Sequence, residues 1–591
     1  MSIPRPSISL ALPALLLAAL LAPGAAAGQS RASSSPASSA GADALAAAVN
    51  RVADEYEAAS AARSAASLEQ RGWYDDGPEA RRTWDAREDA WLARLREIDG
   101  ERLFGRREWV TYGLLREKLE AARQLRVCRA ELWNVSQMYG WHLAVAQAAA
   151  DQRLATAEER EKALARFRAF PAVLRRHTAD LREGLGLGFT ASRPIVERVI
   201  AQLDAILVDD PATSPLYEPA RRDSTPGFAA AWSAVARDSL APALREYRRF
   251  LADEYLAKAR PEIGLSTLPD GVSCYRAMVR DYTSIDIDPD SLFELGRRET
   301  ARAEAEMLPA LMRLTGVNDP LEARRAIRTD PRFLYSSREE MLDSARAKLE
   351  RAREALPRFF THAPTHELVV ESIPEYAEAA GPPAYYDAAP RDGSRPARYV
   401  LNTSPNHRAR MYAGASAFHE GYPGHHFERI YWEEKGPTHE VAKRIGVSAF
   451  LEGWAFYAEE LAEEMGIYGS ELERVGMRMH FVEALNALSV DPAVHAKGWT
   501  RDQAVASMMT TAGRPRPQAE SYADRHATTP AQLVTYMLGY LEIARLRREA
   551  EAALGPRFDL REFHDVVLGD GEITLAMLRR KVERWMREKG G

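Results

Sequence analysis

The chain carries only two cysteines in 591 residues, Cys128 and Cys274. That excludes a small disulfide-stapled scaffold, which is far denser in cysteine. A core this large needs no covalent staple, and two thiols so far apart in sequence are expected to be free and buried. Cationic excess is also missing. Lys and Arg number 79 against 85 Asp and Glu, a formal net charge of −6, so no basic field invites nucleic acid or an anionic membrane surface. The apolar run from Ile8 to Leu21 is short of the ~20 residues of a membrane span. It follows Arg5 and precedes Pro23-Gly24-Ala25-Ala26-Ala27, the layout of a secretory signal peptide over residues 1–27. The absence of cysteine near that cleavage point argues against a lipid-anchored N terminus.

What the chain has in abundance is Ala, Arg, Leu and Glu, which favour helix. Residues 28–43 are Ser/Ala-rich and read as a flexible leader. From residue 44 to 360 apolar positions recur at three- and four-residue spacing. Ala163, Leu164, Phe167, Phe170, Leu174 and Leu181 form one such stripe. Further helices are expected over Phe228 to Ala257, Pro289 to Thr315 and Ser337 to Leu356. The β-branched stretches 367–373 and 397–402 break this pattern and predict two strands, with Pro382-Pro383, Pro390 and Asp392-Gly393 turning between them. Residues 361–591 then form the catalytic part, and residues 44–360 a helical part walling its cleft. The expected fold is mainly α, with a small sheet or hairpin beside the active-site cleft.

The densest chemistry lies at His419-Glu420-Gly421-Tyr422-Pro423-Gly424-His425-His426, followed by Glu452-Gly453-Trp454-Ala455. A His-Glu pair, a second His and a later Glu make up the ligand set and base of a hydrolytic zinc site. In the usual spacing the two histidines stand four residues apart, one turn up a helix face. Here His425 and His426 are six and seven residues from His419. A continuous helix would turn the first ~120° away and lift the second ~10.5 Å along the axis. The helix must therefore be interrupted, and Pro423-Gly424 is where. A local bulge there would return His425 to the ligand position and leave His426 beside the site or against substrate, although the sequence does not separate the two. Glu452 is the third ligand, Glu420 the base, and Glu459, one helical face along from Glu452, the carboxylate that orients a ligand histidine.

This run resembles the bacterial family called domain of unknown function 885, and the Glu452-Gly453-Trp454-Ala455 element is similar to one in aminopeptidase N relatives. The resemblance implies a zinc metallopeptidase of the thermolysin-like clan. Two further stretches fit the family's pattern. Asp491 and His495, four apart before Gly498-Trp499-Thr500, match an Asp/His element in which the carboxylate would fix the imidazole. Arg525 to Gly539 resembles an Arg-Tyr-x-x-x-Pro-Gly-Gln-x-x-x-Tyr-x-x-Gly element, with His526 and Ala531 replacing the Tyr and first Gly. Tyr536, with His495 as second candidate, would then donate to the oxyanion of the reaction. Arg525 and Arg547 would clamp a substrate carboxylate.

The expected function is an exported hydrolase of the periplasm or extracellular space. It would hold one zinc ion and cleave the amide bonds of short peptides with metal-activated water. Its partner is a small peptide or amide, not nucleic acid, and it is not stably inserted in a membrane after signal cleavage. An amidase or esterase would use the same parts. A zinc-stabilised peptide-binding protein would instead close the metal under four protein ligands.

Overall fold

Helix ends across the chain are set by local chemistry. Asp288 opens helix Pro289–Thr315 by accepting from the N–H groups of Asp290 and Ser291, and Gly316, at φ +74°, closes it. Ser337 caps helix Arg338–Ala355 through the N–H of Glu340. Thr156 and Glu159 form a reciprocal box at the start of helix Ala157–Leu187. The stripe of that helix is buried as its spacing requires, with Leu164 at the margin.

The computed structural model describes residues 36–65, 73, 77–208, 210–363, 366–374, 378, 382–390, 393, 395–436 and 439–590. The signal peptide and residues 28–35 of the leader lie outside them, and helix Pro36–Ala65 begins within the rest of the leader. Residues 45–591 make one compact unit, mainly helical with a single small sheet among the described residues. One core runs through it from Trp91 and Leu115 to Phe418, Trp454 and Val582. Among the described residues no helix is long and apolar enough to cross a membrane.

The sheet holds β1 (Leu368–Ser372), β2 (Ala384–Asp387) and β3 (Ala397–Leu401) in the order β1-β3-β2. The two expected strands are present but are not a hairpin, because they pair in parallel. The antiparallel partner of β3 is β2, a four-residue strand directly after Pro382-Pro383. It is too short and too close to turn residues for a period-two pattern to reveal it. Tyr399 of β3 is fully buried, and its hydroxyl lies 2.7 Å from that of Ser416, which ties the sheet to the first helix of the site.

The cysteines correct the sequence reading. Cys128 and Cys274 are joined in a disulfide, with Cα atoms 4.7 Å apart. Helix Gly271–Thr283 packs on helix Arg107–Leu125 and the turn after it, so 146 residues of chain separation vanish in space.

Six helices carry the site: α1 (Ala413–Glu420), α2 (His425–Lys435), α3 (Ser448–Glu464), α4 (Glu471–His495), α5 (Arg516–Thr528) and α6 (Thr535–Leu554). Helices α3 and α6 cross where Gly453 faces Gly539. A methyl on Gly539 would run into the carbonyl oxygen of Ala449, and one on Gly453 into the backbone of Gly539. Contact this close brings Glu452 and Tyr536, one and three residues from those glycines, into the same region. Gly539→Ala should therefore cost about 1–3 kcal/mol through overpacking, read as a lower thermal midpoint. An unchanged midpoint would mean that the crossing does not depend on backbone contact.

Candidate metal centre

The interruption between the histidines is a complete break. Helix α1 ends at Glu420, residues 421–424 form a turn, and His425 is the first residue of α2. A side chain at position 424 would strike the carbonyls of Phe418 and His419. Only glycine lets the returning backbone rest on the last turn of α1. Trp454 fixes the turn from the other side: its fully buried indole N–H donates to the carbonyl of Pro423 at 2.9 Å. Glu452, two residues earlier on α3, is thereby carried to the two imidazoles.

His419, His425 and Glu452 offer one ligand atom each, all within 4.8 Å of one another. The Glu452 carboxylate lies 3.6 Å from His419 Nε2 and 3.4 Å from His425 Nε2. These separations are long for hydrogen bonds. They match the ~3.4 Å between ligands that each sit ~2.1 Å from one tetrahedral ion. The two rings stand at 89° with centroids 4.7 Å apart. The donor set fits a metal ion.

Charge around these atoms points the same way. Burial disfavours a protonated His419, but the nearby carboxylates of Glu452, Glu459 and Glu420 outweigh burial and hold it well above the ordinary histidine range. Burial would likewise raise the Glu452 carboxyl, yet the two imidazoles bring it far below the usual range. The pocket stabilises positive charge. Glu459, with no exposed surface, accepts from His419 Nδ1 at 2.8 Å and from His480 Nδ1 at 3.0 Å. This fixes the His419 ring with Nε2 toward Glu452. Burial pushes the Glu459 carboxyl up, but His480 and the His419 hydrogen bond prevail and hold it down.

Glu420 ends α1 half-buried, and among the described residues no hydrogen bond or ion pair engages its carboxylate. Tyr536 packs edge-on against Phe456, centroids 5.8 Å apart, and Phe456 against His419 at 5.3 Å. The Tyr536 oxygen accepts from Arg525 Nη2 and Gln532 Nε2, each at 3.3 Å. Burial, then the Glu452 charge, raises its pKa, so it keeps its proton.

Other expected residues lie elsewhere. His426 faces away from the metal group, with ring nitrogens 3.3 Å from the Tyr386 hydroxyl of β2 and 3.2 Å from the His366 carbonyl. His495 is wholly buried. Its Nδ1 accepts from the Leu265 N–H and its Nε2 lies 3.0 Å from the His526 carbonyl, so neither nitrogen is available to an oxyanion. Asp491 bonds to His526 Nδ1 at 2.5 Å and to the N–H of Ala531 at 3.0 Å, bracing the link from α5 to α6. Arg547 is consumed by Glu464, Glu551 and the Tyr457 hydroxyl and has no fork to offer a substrate.

The sequence reading missed His480, since one histidine inside an amphipathic helix carries no signal. It also missed Glu428, one turn after His425. Glu428 is 1% exposed, and neither of its carboxylate oxygens has a partner. Burial and the charge of Glu572 push its pKa well above the ordinary range.

Comparison with known proteins sets this geometry in context. The family model described as bacterial protein of unknown function, DUF885, matches residues 31–582. The chain belongs to the DUF885 family. A crystal structure of a candidate lipoprotein from Colwellia psychrerythraea superposes with a TM-score of 0.78, covering 93% of this chain and 100% of that one at 23% identity. A candidate lipoprotein of unknown function from Shewanella oneidensis gives 0.73, covering 91% and 99% at 21% identity. Both share the fold of this DUF885 chain. No curated protein matches it.

Metal analysis should find His425→Ala and Glu452→Ala depleted of metal, His426→Gln loaded, and Glu459→Gln bound about 10–100-fold more weakly. Metal loss in His426→Gln equal to that in His425→Ala would overturn the ligand set. Acid should also weaken the fold. Burial holds His426 and His495 at about 4, whereas unfolded imidazoles titrate near ~6.5. The unfolded chain binds more protons between those values, so stability present above pH 6.5 is lost as pH falls to about 4, up to about 3 kcal/mol per histidine. The slope of unfolding free energy between pH 6 and 4.5 should fall by about one proton in His426→Gln.

Proposed function

We propose that this chain is an exported zinc-dependent hydrolase that cleaves the amide bonds of short peptides. The observation that carries the reading is a carboxylate that no hydrogen bond or ion pair engages among the described residues, Glu420, next in sequence to a histidine of a three-donor metal group. A structural metal needs no base beside it and is closed by four protein ligands. Among the described residues only three converge, and His426 is turned toward the sheet. The order His419-Glu420, His425, Glu452 and the Glu-Gly-Trp-Ala element support membership of the thermolysin-like clan. Export is supported by the N-terminal sequence pattern and by the disulfide, a bond that persists in oxidising compartments. The two structural relatives are themselves described as candidate lipoproteins.

When held by His419, His425 and Glu452, zinc supplies a Lewis acid for the scissile carbonyl and makes water acidic enough to lose a proton near neutral pH. Glu420 takes that proton as the water oxygen attacks the carbonyl carbon, and delivers it to the departing nitrogen when the C–N bond breaks. Tyr536 stabilises the negative oxygen that forms in between. Its own oxygen already accepts two N–H groups, so its hydroxyl hydrogen is aimed away from both, a donor oriented before substrate arrives. Glu459 and His480 keep His419 in one tautomer throughout. Neither His495 nor Arg547 takes part.

Glu420→Gln should retain its metal and lose turnover by about 10²–10⁴-fold, followed as chelator-sensitive release of amines from a mixed peptide pool. Undiminished release by the metal-loaded variant would sink the assignment of the base, and with it the hydrolase reading.

A further inference from the structure

Arginines are abundant in this protein, and several of the enclosed ones are paired with acids, although buried Arg260 has no ion pair among the described residues and lies over the Trp133 ring. Arg328 and Arg514 share Glu483, Arg324 meets Glu304, and Arg547 holds Glu464 and Glu551. Arg525 differs. Among the described residues no carboxylate lies within ion-pair distance of it. Its only hydrogen bonds run from Nη2, to Gln532 Oε1 at 2.6 Å and to the Tyr536 hydroxyl at 3.3 Å. Among the described residues Nε and Nη1 have no protein acceptor, and neither is among the fully buried atoms left unsatisfied, so each keeps some contact with solvent. Burial disfavours the Arg525 cation, and the charge of Glu452 favours it from a distance, without a direct ion pair. Both forks of a guanidinium run through Nη2, which Gln532 and Tyr536 occupy here, so Nε and Nη1 remain as single charged donors, each able to meet one oxygen of a carboxylate.

Position follows from the neighbours. Arg525 touches the hydroxyl of Tyr536, whose ring is joined through Phe456 to His419. If Tyr536 donates at ~2.7 Å to the reacting carbonyl oxygen, Arg525 stands about 6 Å from that oxygen. A carboxylate one residue beyond the scissile carbonyl spans this gap, and each further residue adds up to ~3.5 Å.

We infer that Arg525 receives the free C-terminal carboxylate of a short peptide, so that the enzyme removes C-terminal residues one at a time. The inference rests on the hydrolase reading above and specifies its substrate class. Water adds across the last peptide bond, its hydroxyl going to the carbonyl carbon and its proton to the departing amine. The product is one free amino acid and a peptide shortened by one.

The test uses the mature, zinc-loaded chain with blocked tri- and tetrapeptides, each made as the free acid and as the C-terminal amide. Mass spectrometry should show single amino acids released from the acids, with kcat/KM favouring acid over amide by about 100-fold or more, as for a site built to bind a group the analogue lacks. Arg525→Gln should bring that ratio close to one. Because Arg525 also holds Tyr536, the ratio and not the absolute rate is the readout. Equal cleavage of acid and amide by the wild type, or cleavage at internal bonds, overturns the inference and leaves the hydrolase reading standing. Absence of cleavage in every peptide overturns both. The wild-type comparison decides the matter even if Arg525→Gln fails to fold.

Discussion

The seating of Gly424 on the carbonyls of Phe418 and His419 is the contact on which the site depends. Two imidazoles can share one ion only when their nitrogens are within a few ångströms of each other, and an unbroken helix with this spacing cannot deliver that. The chain solves the problem by stopping one helix, returning its backbone against that helix's own last turn, and starting the next at the second histidine. Nothing larger than hydrogen fits at the point of return. Trp454 then locks the turn by its indole N–H, and Trp454 is rigidly linked to Glu452 because both lie on α3. One short element thus supplies a ligand, the glycine that lets α6 approach and the lock on the turn. Changes in any of the three would be felt at the same nitrogen atoms.

Electrostatics completes what packing begins. Glu452, Glu459 and Glu420 surround His419, and Glu428 and Glu572 lie beyond His425. Burying so many acids together would be untenable without a cation or protonation to relieve them. Two solutions coexist within a few residues. Glu459 is held below the ordinary carboxylate range because two imidazoles donate to it, whereas Glu428, with no hydrogen-bond donor among the described residues, is pushed above that range. The contrast shows that burial alone does not set the charge of a carboxyl. The number of N–H groups aimed at it does.

Much of this was legible in the sequence, for reasons that differ by residue. The helical class followed from apolar spacing, and the metal group from the rarity of two histidines and a glutamate at such short range. The need for a break followed from helix geometry alone. Its form as a four-residue turn did not, because a bulge and a full stop satisfy the same spacing. Long-range partners were invisible. Asp491 and His495 are one turn apart on α4, and adjacency made them look like a pair. In the folded chain the carboxylate reaches across to His526 and the N–H of Ala531, while the imidazole stacks on Tyr275 at 5.2 Å. The disulfide escaped for the same reason, since contact between helices far apart in sequence is decided by the whole core. Ala531 is instructive in another way. It occupies φ +69°, the region glycine adopts most easily, which gives a physical basis for the glycine of the family pattern at this position. Here alanine is held there with its N–H bonded to a buried Asp491.

The arrangement around Tyr536 shows how a hydroxyl can be prepared without touching a metal. Arg525 and Gln532 both donate to its oxygen and use the lone pairs through which it would otherwise accept. What remains to the group is its hydrogen, and the direction of that hydrogen is fixed by exclusion. A tyrosine with one donor neighbour would be free to rotate, and part of its stabilising effect would be spent on reorientation when charge developed. With two it is set beforehand. The same two donors tie α5 and the α5–α6 link to the start of α6, so the group that polarises the hydroxyl also holds the backbone that carries it. Orientation at Tyr536 and the donors left over on Arg525 are therefore two consequences of one guanidinium: Nη2 organises the hydroxyl, and Nε and Nη1 keep their hydrogens for an anion.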